Sequence, residues 1–341
     1  MHLFPRRPRR LRPERITVPL LEAKNILVTG GAGFIGSHLV DRLISERPAR
    51  LVVIDNFFLG KERNLKDARE RFPELRIYRD DVTRPERLAA IIRENGVDLV
   101  FHLAVIPLPA SLERPKWSFS QNVQMSLVLC ELMRRGHFRT LVHFSSSEVY
   151  GTAVENVINE DHPLEPLTPY AASKAACDHL VLSYARTFGM EMTIIRPFNT
   201  YGPRQNENRY AGIIPLTIQR ILGNTPPLVY GDGQQTRDFL YVADTVDAAV
   251  RLVKAERARG QIVQIGSGVE TRILDVIGIM RGYLGGGPEI RFAAARPGDV
   301  RRHRADISRL KSLVEFEPRY PLKEGLARTV DWYRRHLASG P

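Results

Sequence analysis

The sequence predicts an α/β protein that contains a doubly wound parallel sheet and a smaller C-terminal domain. Short runs of apolar and β-branched residues alternate with helical patterns as far as Arg196, which is typical of chains that build a parallel sheet. A glycine-rich turn joins the first apolar run to the first helical pattern. After Arg196 the composition changes to loops rich in Pro, Gly, Asn and Arg, which indicates a second unit.

The first apolar run, residues 25–29, is followed by a glycine turn at 30–36 and a helical pattern at 37–45. Glycines in such a turn let the backbone approach a pyrophosphate closely, and the helix N-terminus meets its charge. The next run, residues 50–54, ends at Asp55, 19 residues after Gly36. A carboxylate at this spacing accepts hydrogen bonds from ribose hydroxyls and repels a 2′-phosphate. We therefore predict a Rossmann-type domain that binds NAD rather than NADP.

Further strands are predicted at residues 76–78, 99–104 and 140–144, with helical patterns between them. We expect residues 25–197 plus about 237–265 to form the NAD-binding domain. Residues from about 198 to 236, together with 266–341, would form the smaller domain.

Composition limits the class of protein. A chain of 341 residues with 43% hydrophobic and 26% charged residues is typical of a soluble globular protein, and no apolar run reaches the length of a membrane span. Two cysteines provide neither a disulfide framework nor a metal site. Residues 1–24 carry a net charge of +5 out of the total of +12, and we expect them to be a disordered tail that lacks the apolar segment of a signal peptide. A cytoplasmic protein without a nucleic-acid, membrane or metal partner is expected.

Two further stretches carry chemistry. The segment "SSSEVYG", residues 145–151, follows the run at 140–144 and brings hydroxyls and a carboxylate to a strand end. Tyr170 and Lys174 stand four residues apart at the start of a long helical pattern, so they share one helix face. An ammonium group beside a phenol lowers the phenol's pKa, which is otherwise too high for a base at neutral pH.

On these motifs the chain resembles the extended short-chain dehydrogenase/reductases, and among them the NAD-dependent nucleotide-sugar epimerases and dehydratases. The matching segments cover nearly the whole chain after the tail: 29–36, 55, 81–82, 102–104, 146, 149–151, 170, 174, 196–199, 201–204 and 296–299. The resemblance implies that Tyr170 takes the proton of a sugar C4 hydroxyl, that Lys174 stabilises the phenolate, and that Ser146 hydrogen-bonds the reacting oxygen. It also implies a homodimer, formed by helices near residues 120–135 and 170–187.

The resemblance and the glycine turn together assign the binding residues. The predicted cofactor contacts, besides Tyr170 and Lys174, are Gly30, Gly33, Phe34, Ile35, Gly36, Asp55, Asn56, Asp81, Val82, Leu103 and Ala104. The predicted substrate contacts are Ser146, Ser147, Asn199, Arg204, Tyr230, Arg237, Arg296 and Asp299. Of these, Asn199, Arg237 and Arg296 are expected on the diphosphate, Tyr230 on the base and Asp299 on the nucleotide ribose. Guanidinium groups suit a diphosphate because they are fixed, bidentate donors.

The fate of the resulting 4-keto sugar separates the members of this group. Glu148 stands where some relatives carry the acid or base that works beyond C4, which favours a 4,6-dehydratase or a UDP-glucuronate decarboxylase. The run "RPGDVRRHRADISR", residues 296–309, instead resembles UDP-hexose and UDP-uronate 4-epimerases. Uronate-specific epimerases often carry a basic residue where this chain has residues 206–208, Asn-Glu-Asn. We favour a 4-epimerase of a UDP-sugar, either UDP-glucuronate or UDP-hexose, with the lyases as the alternative.

Overall fold

The computed structural model describes residues 21–296 and 298–338. Its strands are β1 (Asn25–Thr29), β2 (Arg50–Asp55), β3 (Arg76–Arg79), β4 (Leu99–His102), β5 (Thr140–Phe144), β6 (Glu191–Pro197), β7 (Asn199–Tyr201), β8 (Leu228–Tyr230), β9 (Thr236–Tyr241), β10 (Ile262–Ile265), β11 (Glu270–Arg272) and β12 (Arg291–Ala293). Its α-helices are α1 (Phe34–Ile44), α2 (Lys66–Arg71), α3 (Pro85–Glu94), α4 (Leu108–Glu113), α5 (Pro115–Arg134), α6 (Pro169–Phe188), α7 (Ile213–Leu222), α8 (Val242–Lys254), α9 (Ile273–Tyr283), α10 (Ser308–Leu313) and α11 (Leu322–Ala338).

The large sheet confirms the predicted fold class. Its strands run parallel in the order β10-β6-β5-β4-β1-β2-β3. The chain reverses its direction of travel across the sheet between β1 and β4, which are hydrogen-bonded neighbours with Thr29 opposite His102. Ligands of open α/β sheets bind at the carboxyl ends of the strands beside such a reversal. The fold therefore locates the expected site next to Thr29 and His102.

Helices cover both faces of this sheet because the strands are apolar on both sides. In β1, Ile26 and Val28 pack towards α1 and α8, whereas Leu27 packs towards α3, α5 and α6. All three of these β1 side chains are fully buried. The alternation follows from the two-residue period of a strand.

The smaller domain combines two short sheets, ordered β11-β9-β7 and β12-β8, with α7, α9 and α11. Strand β9 pairs with β7 and β11 rather than joining the large sheet. The chain returns to the large domain with α8 at Val242, which is buried in the large core. A second return was not predicted: Leu310 of α10 and Phe316 are buried in the core of the large domain, where α10 packs on the outermost strand β10.

The predicted tail lies largely outside the described residues. Residues 21–24 form a turn, and Leu21 is fully buried in the large core, so the core includes a residue of the predicted tail. No helix among residues 21–296 and 298–338 is both long and apolar enough to cross a membrane.

Candidate active site

A cavity of about 460 Å³ lies at the carboxyl ends of β1, β2 and β4, beside the first turn of α1. Its floor is the glycine turn. Gly30 has a φ of +67°, and a Cβ there would lie 2.7 Å from the backbone nitrogen of Ala104. A Cβ at Gly36 would lie 2.2 Å from the carbonyl oxygen of Gly30. Both positions therefore require glycine, which leaves backbone exposed to a ligand at the start of a helix.

Every predicted cofactor residue lines this cavity, which is called the cofactor cavity below. They are Gly30, Gly33, Phe34, Ile35, Gly36, Asp55, Asn56, Asp81, Val82, Leu103, Ala104, Tyr170 and Lys174.

Asp55 ends β2 and is 7% exposed at the cavity wall. Its carboxylate accepts hydrogen bonds from the backbone N–H groups of Ala32 (3.0 Å) and Phe57 (2.8 Å). Burial raises the pKa of Asp55, and these two N–H groups oppose the rise. The glycine cradle and a carboxylate held at the end of the second strand fit NAD, whose pyrophosphate and ribose need these two features.

The segment 145–151 leaves β5 in a short 3-10 helix, Ser147–Tyr150. Ser146 caps this helix, because its Oγ accepts a hydrogen bond from the N–H of Glu148 at 3.2 Å. Nε2 of the buried His303 ring lies 3.1 Å from the carbonyl oxygen of Ser147, and this contact supports the turn. Burial lowers the pKa of His303 to about 3, so this ring is neutral at physiological pH.

Helix α6 presents the predicted base. Thr168 caps it by accepting from the N–H of Ala171 at 3.2 Å, and Pro169 occupies its first turn. Tyr170 and Lys174 follow one turn apart on the face that lines the cavity.

The electrostatics of the pair differ from the expectation. The ammonium of the buried Lys174 donates to the carbonyl oxygen of Phe144, and burial lowers the pKa of Lys174. Burial also raises the pKa of Tyr170 to about 12; a hydrogen bond with Ser146 opposes that rise and the charge of Glu148 adds to it. Helical spacing therefore brings Lys174 to the site, but Lys174 by itself does not lower the pKa of the phenol below its usual range.

A second cavity, of about 390 Å³, opens towards the smaller domain. The predicted substrate residues Asn199, Tyr230, Arg237, Arg296 and Asp299 line it. The two cavities share a wall made of Leu108, Pro109, Glu148, Asn199 and Gly212. Ser146, Ser147 and Tyr170 line the first cavity next to this wall, so a molecule seated in the second cavity can extend towards them.

The polar side chains of the second cavity are bound to one another. Arg237 forms an ion pair with Asp299 at 2.5 Å and also donates to the carbonyl oxygen of Val300. The guanidinium of Arg296 lies over the Tyr230 ring, 3.7 Å from its centroid, so the predicted base-stacking residue carries a cation on one face. This arrangement offers two guanidinium groups and an aromatic ring side by side, which suits a nucleoside diphosphate.

Glu148 lies where the cavities meet. Burial raises the pKa of its carboxyl group, the charge of Arg237 opposes the rise, and the charge of Asp299 adds to it. Its position on the wall of both cavities gives Glu148 access to a ligand, so it can serve in acid or base work as well as in a structural role.

Arg204, which is predicted to contact the substrate, lines the cofactor cavity and not the second one. Its guanidinium pairs with Asp41 of α1 at 2.6 Å and with Asp67 of α2 at 3.1 Å. Its backbone turns with a φ of +64°, and these two carboxylates orient its side chain.

The loop that carries Arg204, residues 203–212, is called the bridging loop below. Glu207 of this loop is bound by Lys61 and Arg63, which lie beyond β2, and lies 3.3 Å from His336 of α11. The Tyr210 ring packs against Phe58 with centroids 6.0 Å apart. The bridging loop therefore connects both domains along one side of the cofactor cavity.

Sequence reasoning missed Asn122 of α5. Its Oδ1 accepts from the N–H of Ile106 at 2.7 Å, and its Nδ2 donates to Ser173 Oγ at 2.9 Å. The buried amide thus fixes the loop after β4 against helix α6. The available signal was a polar residue among the apolar positions of a helix. Gln235 was also missed; it donates to the carbonyl oxygen of Tyr230 at 2.9 Å and lies 3.5 Å from Asp299.

Comparison with known proteins agrees with this geometry. The sequence profile of the NAD dependent epimerase/dehydratase family matches residues 26–266. A UDP-glucose 4-epimerase of Mycolicibacterium smegmatis is 35% identical over 310 residues, which cover 90% of this chain and 98% of that protein. A dTDP-glucose 4,6-dehydratase of an Actinoplanes species is also 35% identical, over 91% of this chain and 97% of that protein.

Among solved structures, the UDP-glucose 4-epimerase of Thermotoga maritima with UDP-glucose superimposes with a TM-score of 0.85 at 32% identity. The match covers 92% of this chain and 99% of that one. The similarity in fold and sequence thus extends over nearly the whole chain, which belongs to the NAD-dependent epimerase/dehydratase family.

Proposed function

We propose that this protein is an NAD-dependent nucleotide-sugar 4-epimerase whose substrate is a UDP-sugar. One observation carries the proposal: Ser146 and Tyr170 lie in the cofactor cavity, beside the wall through which it adjoins the cavity that Arg237, Arg296 and Tyr230 line. A sugar whose diphosphate binds Arg237 and Arg296 would bring its ring to that wall. The relatives named UDP-glucose 4-epimerase, at 32–35% identity, support the choice of UDP-hexose.

The chemistry assigned to each side chain follows from its position. The Tyr170 phenolate takes the proton of the C4 hydroxyl, and Ser146 hydrogen-bonds the reacting oxygen. NAD held by the glycine turn and Asp55 would supply a reversible hydride acceptor for C4, and its positive nicotinamide would add to the charge of Lys174 in favouring the phenolate. Tyr170 then gives the proton back to the inverted C4 oxygen. Leu108 and Pro109, in the wall between the cavities, would contact the 4-keto sugar while it rotates to present its opposite face.

A lyase is the second candidate, and Glu148 is the observation that favours it. Its carboxyl group lines both cavities and has a raised pKa, which suits proton transfer at C5 of a 4-keto sugar. A 4,6-dehydratase or a UDP-glucuronate decarboxylase would use it in that way. The dehydratase relative at 35% identity belongs to this second group.

Mass spectrometry and proton NMR of UDP-glucose and UDP-glucuronic acid, each incubated with protein and NAD, test the choice. An unchanged mass with an inverted C4 proton coupling supports the epimerase. Loss of water or of carbon dioxide would overturn it in favour of a lyase. Glu148→Gln sharpens the result, because it leaves an epimerase active within about threefold but removes the proton-transfer group of a lyase, a loss of about a hundredfold or more.

Tyr170→Phe tests the assigned base. We expect turnover to fall by about a thousandfold while NAD binding and thermal stability remain. Tyr184→Phe is the matched control on the same helix, because its hydroxyl donates to Glu131 on the outer side, at 2.8 Å. Normal turnover by the Tyr170 variant would contradict the mechanism.

The homodimer also belongs to the proposal. Helices α5 and α6 pack on each other, and Phe119 and Phe188 at their surface are 38% and 50% exposed. Light scattering coupled to gel filtration distinguishes a dimer from a monomer. Phe188→Glu would lower the apparent mass if this face forms the interface.

A further inference from the structure

We propose that Asp178, Arg196 and Tyr150 form a clamp that positions Ser146 and Glu148 against the base Tyr170. The inference rests on the proposed function, because it concerns the alignment of the side chains assigned to C4 chemistry. The three residues touch neither cavity; they act through the segments that carry the catalytic groups.

The first arm of the clamp is on the catalytic helix. Asp178 follows Lys174 by four residues on α6, so the two share one face of the helix. Its side chain is fully buried. One carboxylate oxygen accepts from Arg196 Nε at 2.9 Å, and the other lies 3.8 Å from Nε2 of the buried His143.

The second arm reaches the segment that carries Ser146. Arg196, on β6, is 2% exposed. Its Nη1 donates to the Tyr150 hydroxyl at 2.8 Å, and its guanidinium lies 4.9 Å from the centre of the Tyr150 ring. Tyr150 is the last residue of the 3-10 helix that Ser146 caps. Because such a helix rises about 2 Å per residue, Tyr150 anchors this segment within about 8 Å of Ser146.

The clamp thus connects the helix of the base to the turn of its hydrogen-bonding partner through one guanidinium group. A buried ion pair contributes little net stability, because desolvation offsets the attraction between the charges. Its geometric effect is stronger, since the planar guanidinium fixes the direction of each hydrogen bond it makes. Catalytic groups must be held within fractions of an ångström, and a displacement of about 1 Å can cost about a hundredfold in rate. A positioning role therefore explains the clamp better than stability does.

Tyr150→Phe tests the clamp with the smallest change, since it removes only the hydroxyl that Arg196 binds. We expect kcat to fall about tenfold and KM to change little, because the second cavity is untouched. In a Ser146→Ala background the same substitution should cost much less, since the group that it positions is gone. Tyr201→Phe is the control: Tyr201 is an equally buried tyrosine whose hydroxyl donates to the carbonyl of Leu322 at 3.2 Å.

A second measurement does not depend on the substrate. In protein labelled at tyrosine Cζ with carbon-13, the Tyr170 signal, assigned by its loss in Tyr170→Phe, reports the hydrogen bond from Ser146. Tyr150→Phe should move this signal in the same direction as Ser146→Ala, and the double variant should move it no further. If neither sugar is turned over, the proposed function fails, yet this shift still decides the clamp.

Wild-type kcat and an unmoved Tyr170 signal in Tyr150→Phe would overturn the proposal. Effects of Tyr150→Phe and Ser146→Ala that simply add would overturn it as well, because additivity means that the two residues act separately. Thermal unfolding and NAD content verify that the variant is folded. If Tyr150→Phe does not fold, Asp178→Asn provides the same comparison, because it weakens the link to Arg196 while keeping the side-chain shape.

Discussion

The cofactor cavity differs in construction from the second cavity, which is proposed to bind the nucleotide sugar and is called the substrate cavity from this point. The floor of the cofactor cavity is glycine backbone, with Gly30 and Gly36 packed too closely for any side chain. The substrate cavity is formed by long side chains, among which Arg237 is bound to Asp299 and Arg296 lies over the Tyr230 ring. The glycine floor depends on short spacings within one strand–turn–helix unit. The substrate cavity depends on side-chain partners that are distant in the chain, so a single substitution can change one of its contacts at a time.

The largest expected effect on ligand binding is in the cofactor cavity. In Gly36→Ala the new Cβ would meet the Gly30 carbonyl oxygen at 2.2 Å, and neither backbone can yield without opening the turn. We expect the variant to lose bound NAD, as measured by the absorbance of released nucleotide and by titration calorimetry. Gly278→Ala, in α9 with open space around it, should keep NAD and gain up to about 1 kcal/mol of stability. Wild-type NAD affinity in Gly36→Ala would break the comparison.

A smaller effect is expected for Arg237→Met in the substrate cavity. Loss of a charge-assisted hydrogen bond to phosphate should weaken UDP binding about thirtyfold and leave NAD content unchanged. Arg272→Met is the control on the neighbouring strand, where an exposed pair with Asp275 makes little difference to affinity. Titration calorimetry with UDP measures the affinity of both variants. A parallel loss of NAD would show that the two cavities are not separable.

Arg204→Met tests which of the two ligands depends on Arg204. Because Arg204 lines the cofactor cavity and is held there by Asp41 and Asp67, we expect NAD affinity to fall about threefold and UDP affinity to remain. The opposite pattern, with UDP binding weakened and NAD binding intact, would restore the assignment of Arg204 to the substrate.

The smallest effect is expected for Glu207→Gln. The substitution weakens the contacts with Lys61 and Arg63 at the edge of the cofactor cavity, so NAD should dissociate about twice as fast. Stopped-flow displacement of a fluorescent NAD analogue measures the rate. Glu324→Gln, which disturbs an exposed pair with Arg328, serves as the control. An unchanged rate would mean that the bridging loop does not restrain the cofactor.

The same contrast explains what could be predicted from sequence. Every predicted cofactor residue lines the cofactor cavity, because Gly30, Gly36 and Asp55 are positioned by local spacing along successive elements. The pairing of Arg204 could not be predicted, because its orientation is set by Asp41 and Asp67, more than a hundred residues away in the chain. Asn122 was missed because a polar residue in a helix does not reveal its partners, and its amide contacts join it to other segments at Ile106 and Ser173.

The bridging loop has a thermodynamic consequence. Arg204 and Tyr210 line the cofactor cavity, Ala211 lines the substrate cavity and Gly212 lines both, so one short segment belongs to the walls of two binding sites. Any adjustment of this loop on binding one ligand alters the surface that the other ligand meets. Reciprocity then requires that NAD change the affinity for the nucleotide sugar by the same factor as the nucleotide sugar changes the affinity for NAD. Cofactor retention and substrate affinity are therefore linked by as much as the binding of either ligand moves this loop.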